Sequence, residues 1–130
     1  MEILQPPGWM RPRGYANGIA ANGRMVFVSG MVGWDAQGVF RTSEFAGQVR
    51  QALVNIVAVL AEANARPEHI VRMTWYVCDK REYVAAYPQI GVAYRAIIGS
   101  HFPAMTAVQV AALVEDAAKV EIEVTAVVPG

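Results

Sequence analysis

Near the end of the chain, Lys119-Val-Glu-Ile-Glu-Val-Thr125 sets two carboxylates, Glu121 and Glu123, two residues apart. A strand turns successive side chains to opposite faces, so both glutamates share a face with Thr125. Val120, Ile122, Val124, Ala126 and Val128 take the other face, which belongs under helices. The acidic face then looks toward the second side of the sheet, where a carboxylate is costly unless paired, hydrogen-bonded or wet. Two readings follow. Either both glutamates bond to backbone or to Arg or Lys of a neighbour, or one lies in an interfacial cleft and orients a water molecule.

The other reactive side chains exclude more than they suggest. His69 and His101 lie far apart, with no cysteine or carboxylate at ligand spacing, which gives a metal site weak support. Cys78 is alone, so no intrachain disulfide or cysteine-based metal site can form. There is no Gly-x-Ser-x-Gly elbow and no P-loop, and Gly14-Tyr-Ala-Asn-Gly18 lacks the spacing of a dinucleotide fingerprint. With no nucleophile–base pair in view, the expected reaction is water attack on an already electrophilic carbon. That needs positioning rather than powerful groups, and no cofactor. Three aromatics have structural readings: Trp75 as core, Trp34 as core or as a lid over a cleft, and Trp9 as packing on the body or on a neighbour.

The elements that must position these groups follow from periodicity. Residues 1–14, rich in Pro, Gly and Arg, read as an extended arm. Tyr15–Ala20 and Arg24–Ser29 are short strands around Ala21-Asn22-Gly23, where Asn-Gly supplies a tight turn. Ser43 is a candidate N-cap for a helix from Glu44 to Ala63, with Glu44 in its first turn and Val49, Leu53, Ile56 and Leu60 on its apolar stripe. Val71–Val77 alternates as a strand, and Arg81–Ile98 returns to helical spacing with a kink or break at Pro88 and Gly91. Ala104–Val110 and Lys119–Val128 are the last strands, completing an order β-β-α-β-α-β-β. Two helices cover only one face of such a sheet. Several strands are apolar on both faces, as where Met25 and Phe27 oppose Val26 and Val28. The second face is therefore expected to pack against copies of the same chain.

Bulk composition agrees with one soluble domain. The chain has 130 residues, 55% of them apolar, and its 11 Lys and Arg balance 11 Asp and Glu. A neutral chain gives no electrostatic reason to expect nucleic acid or anionic lipid as partner. No run approaches the roughly 18 apolar residues of a membrane span. The start, Met-Glu-Ile-Leu-Gln-Pro-Pro, has no basic region followed by an apolar core, so no signal peptide is expected. A lone cysteine suits a reducing cytoplasm.

His101-Phe-Pro-Ala-Met-Thr-Ala-Val-Gln-Val110, followed by Val120-Glu-Ile-Glu123, resembles the C-terminal signature of the RidA/YjgF (Rid) family, which also carries the endoribonuclease L-PSP name. The resemblance runs from Gly14 to Val128. It implies an α+β, chorismate-mutase-like homotrimer with clefts between subunits. It also implies hydrolytic deamination of a small reactive enamine or imine, or binding of a small carboxylate. By the family pattern Glu121 corresponds to the glutamate that positions the hydrolytic water, and Glu123 to an acidic position with a structural role. Tyr15 matches a tyrosine lining the cleft, otherwise an anchor of the first strand. Gly30 matches a glycine whose backbone approaches the ligand, otherwise ordinary turn chemistry. In the deaminases the residue after Pro-Ala is an arginine that grips the substrate carboxylate. Here it is Met105, and Ala107 stands where many relatives carry cysteine. A thioether cannot reproduce the two parallel hydrogen bonds of a guanidinium. This places the chain with a subgroup lacking the arginine, in which Thr106 offers a hydroxyl and Met105 an adaptable wall. Arg13, Arg72, Arg81 and Arg95 are candidates to restore a cation. The alternative to a deaminase is a non-catalytic, small-molecule-binding or regulatory trimer. An endoribonuclease has no basic or stacking surface to rest on.

Overall fold

The computed structural model describes residues 1–130. Its elements are β1 (Glu2–Leu4), β2 (Gly18–Ala20), β3 (Arg24–Val32), α1 (Phe45–Glu62), a 3-10 turn at Pro67–His69, β4 (Ile70–Val77), α2 (Lys80–Ala85), α3 (Tyr87–Ile97), β5 (Ala104–Gln109) and β6 (Val120–Val128). The main sheet has four strands in the order β3-β6-β4-β5, with β4 and β5 parallel and β6 antiparallel to both its neighbours. The connections β3-α1-β4 and β4-α2-α3-β5 each join strands of like direction through helices, as parallel strands require. All helices lie on one face of the sheet, giving the expected α+β architecture.

The apolar stripe of α1 supplies Val49, Leu53, Ile56 and Leu60, each fully buried. It packs on Met73 and Trp75 of β4 and on Val120, Ile122 and Val124 of β6. Gln48 is the one buried polar side chain of this core. Its amide donates to the carbonyls of Thr42 and Ala117 and accepts from the backbone N–H of Lys119, which ties the start of α1 to the start of β6.

Several boundaries differ from those read in the sequence. Asn22-Gly23 does not close a hairpin: β2 pairs with β1 of the N-terminal arm, and β3 pairs with β6. Gly23 is needed for another reason. Its φ is +149°, and a side chain there would strike the carbonyl of Val128. The arm is therefore partly strand, folded back through Glu2–Leu4. Ser43 is not the N-cap of α1: Glu44 occupies that position with extended dihedrals and lies outside the first turn, its N–H bonded to the Thr42 hydroxyl. The predicted second helix is two. Pro88 has no N–H to donate one turn back, and the chain breaks at Ala86 just before it, while Gly91 stays helical.

The second face of the sheet is uncovered in a single chain. Met25 and Phe27 are 57% and 70% exposed there, while Val28 beneath them is buried. No helix is long and apolar enough to cross a membrane.

Candidate active site

Two concave regions lie on opposite sides of the sheet. The parallel register pairs Met73 with Met105 and Trp75 with Ala107. Met73 and Trp75 belong to the helix-side core, so Met105 and Ala107 face the helices. Thr74 and Thr106, one residue on, face the open side, together with Tyr76, Glu121 and Glu123 of the adjoining registers.

On the helix side, β5, α2, α3 and the N-terminal arm enclose a cavity of about 730 Å³. Met105 and Ala107 form its floor with Trp75. Tyr83, Tyr87 and Tyr94 form its helical wall, and Tyr15 and Phe102 close one side. The arm is held against β5 because Ala16 donates its N–H to the carbonyl of Pro103 at 2.9 Å and forms a parallel bridge to Ala104. The wall is rigid for clear reasons. The Tyr94 hydroxyl donates to the carbonyl of His101 at 2.6 Å, and the Tyr94 ring stacks on Phe102 with centroids 5.3 Å apart. Tyr83 packs edge-on against Tyr87 at 5.1 Å. Burial, then the neighbouring Tyr87, pushes the Tyr83 phenol up to about 12, and burial also raises Tyr94. The indole N–H of Trp75 is the one buried side-chain donor without an acceptor. Arg13 and Arg95 line the same cavity, whereas Arg72 lies on the open face and Arg81 in neither region.

On the open side a smaller groove of about 300 Å³ crosses β3, β6 and β4, with Arg72, Thr74, Ser29 and Glu123 at its polar points. Here the two glutamates part company. Glu123 accepts a hydrogen bond from the Tyr76 hydroxyl at 2.7 Å, and this carboxylate holds the Tyr76 phenol above its usual value. Glu121 has neither hydrogen bond nor ion pair. Its carboxylate lies against Gly30, where any β-carbon would collide with it. A bulge creates that proximity: Val28 pairs with Val124 but Met31 with Ile122, so Ser29 and Gly30 together oppose Glu123.

The five site residues read in the sequence are thus divided. Tyr15 and Met105 lie in the helix-side cavity. Glu121, Gly30 and Thr106 lie on the open face, and the sheet stands between the two sets. The histidines are structural: His101 Nε2 donates to the carbonyl of Ile70 at 2.6 Å, and His69 Nδ1 accepts from Arg66 N–H at 2.9 Å. No group of three His, Cys, Asp or Glu side chains stands close enough to hold a metal ion. Trp34 packs against Phe40, and Trp9 is exposed. The helical wall of tyrosines escaped the sequence reading because its spacing is that of any core-facing stripe. The signal was the choice of tyrosine, whose hydroxyl needs a polar or wet edge.

The family model described as Endoribonuclease L-PSP matches residues 10–128. The chain belongs to that family. Among curated Rid-family relatives, a RutC family protein of Synechocystis sp. is 34% identical, with 99% of this chain and 98% of that protein aligned. The 2-iminobutanoate/2-iminopropanoate deaminase of Salmonella typhimurium is 32% identical over 81% of this chain and 80% of the enzyme. Two crystal structures extend the likeness to the fold. The protein YyfB of Yersinia pestis, of unknown function, superposes with a TM-score of 0.83 at 28% identity, covering 98% of each chain. TdcF of E. coli with bound serine does so at 0.68 and 29% identity, again covering 98% of each chain.

Proposed function

We propose that this chain is a hydrolytic deaminase of a small reactive enamine or imine, working as a homotrimer with its sites at subunit interfaces. The observation that carries the reading is Glu121: a carboxylate with no protein partner, seated where Gly30 removes the β-carbon. An unpaired carboxylate beside accessible backbone can orient a water and accept its proton. The water adds to the carbon of the C=N bond, and the carbinolamine collapses to a carbonyl product and ammonia. Within one chain the sheet keeps Glu121 and Gly30 away from Tyr15 and Met105. Only a second copy packed on the open face joins the two sets, with Thr106 at the seam and Tyr15 and Met105 shaping the substrate wall. The uncovered Met25 and Phe27 favour such packing. Relatives bearing the name 2-iminobutanoate/2-iminopropanoate deaminase support the reaction class.

The test supplies imines in situ with an amino-acid oxidase and follows their loss by trapping, alongside ammonia release. The purified chain is expected to accelerate hydrolysis. No acceleration over buffer, across acidic and neutral imines, overturns the reading.

Met105 favours a second reading, a trimer that binds a small molecule without catalysis, because the family's carboxylate grip is missing. The variant Met105→Arg separates the two. Imine hydrolysis gained by the variant and absent in the parent makes binding without catalysis the better description.

A further inference from the structure

We infer that the helix-side cavity takes a small monoanion with a flat apolar body, an aryl or arylalkyl carboxylate, and that Arg95 and Arg13 supply the cation that Met105 cannot. The inference rests on the proposed function in that this cavity, with Tyr15 and Met105, is the substrate wall of the proposed site.

Three observations converge. First, a volume of about 730 Å³ falls within the range of ligand pockets, roughly 300–1,000 Å³. It is far more than a two- or three-carbon acid needs. Secondly, the walls are aromatic rather than aliphatic. Tyr83 and Tyr87 beside the stacked pair of Tyr94 and Phe102 suit edge-on or offset contact with a planar ring, while the Tyr94 hydroxyl is taken up by the carbonyl of His101. Thirdly, the charge is one-sided. Arg13 and Arg95 line the cavity, no Asp or Glu does, and neither guanidinium makes a hydrogen bond or ion pair within the chain. By contrast, Arg41 and Arg66 are held by Asp35 and Glu68.

Arg95 is presented by Gly91, one turn earlier on α3. A β-carbon at Gly91 would lie 3.5 Å from Arg95 Nη2, so the guanidinium folds back over the glycine toward the cavity. Arg13 arrives from the arm, which Gly14 turns with a φ of +77° before Ala16 docks on Pro103. Two cations from separate elements, over an apolar floor of Met105 and Ala107, fit a ligand with its carboxylate at the rim and its ring inside. A planar guanidinium is the side chain best suited to a carboxylate.

Calorimetric titration of the full chain with phenylacetate, acetate and phenylacetamide tests this, since the three probes separate ring from charge. Phenylacetate is expected to bind at least about tenfold more tightly than either of the others, the scale of one charge-assisted hydrogen bond or one buried ring. Arg95→Gln and Arg13→Gln are each expected to weaken phenylacetate binding, and the double variant to bring it to the level of phenylacetamide. Absence of phenylacetate binding at millimolar concentration, equal binding of all three probes, or a double variant that binds as the parent does overturns the inference. The probe series on the parent decides even where a variant does not fold. Phenylacetate binding without imine hydrolysis upholds this inference while the deaminase reading fails. Hydrolysis of aliphatic imines with no binding of phenylacetate does the reverse.

Discussion

Glu121 and Glu123 share a strand and a face, yet their surroundings give them different work. Glu123 is engaged by the Tyr76 hydroxyl, whereas Glu121 meets only the bare backbone of Gly30. Steady-state assays should separate them. Glu121→Gln keeps the shape but cannot take a proton, and is expected to lower kcat by about 10²–10⁴-fold. Glu123→Gln still accepts from Tyr76 and is expected to leave kcat unchanged. It should also let the Tyr76 phenol fall back toward its ordinary value, read by ultraviolet difference titration. Gly30→Ala is the steric counterpart. Its methyl group must displace the Glu121 carboxylate, so activity should drop while the fold survives.

Between elements, Gln48 is the clearest joint. It lies fully buried at the first turns of α1 and satisfies backbone groups at Thr42, Ala117 and Lys119. Gln48→Leu preserves volume but strands those groups, at a cost of about 2–4 kcal/mol in urea unfolding. The packing of α2 on β4 makes a pH prediction. Tyr83 is neutral in the fold and its phenol is raised to about 12, against an ordinary value of 10.0. A raised value means the folded state holds the proton more tightly. Its contribution to stability is therefore full below pH 10.0 and is lost as pH climbs from there through about 12. Unfolding midpoints measured as pH rises from 10.0 to about 12 should fall over that window, and Tyr83→Phe should flatten the decline.

At the scale of the whole molecule, the decisive feature is a sheet covered on one face only. Phe27 and Met25 stand exposed on the other, beside the groove that holds Arg72 and Glu123. Apolar residues on a broad sheet face mark an association surface. Sedimentation of the parent is expected to give a trimer. Phe27→Glu is expected to give a monomer with unchanged circular dichroism and little imine hydrolysis, because separation parts Glu121 from the cavity of the neighbouring copy. A monomeric parent overturns the proposed assembly and the shared cleft together.

Much of this was legible in the sequence, because side-chain direction is a local property. Period-two alternation in Val120–Val128 put Glu121 and Glu123 opposite the core, and the three- and four-residue steps of Val49, Leu53, Ile56 and Leu60 defined the buried face of α1. Phe102-Pro-Ala104, Val108-x-Val110 and Val120-Glu-Ile-Glu123 carried the resemblance to the family. What the sequence could not decide was which distant segments meet. Asn22-Gly23 looked like a hairpin turn, but β2 found its partner in β1 and β3 found its partner in β6, since strand pairing is settled by contacts remote along the chain. The same holds for the site. Only the register of β4 against β5 and β6 shows that Met105 and Glu121 lie on opposite sides of the sheet. Only the docking of the arm and the break at Ala86 show that, of four candidate arginines, Arg13 and Arg95 are the two that border the cavity of Met105.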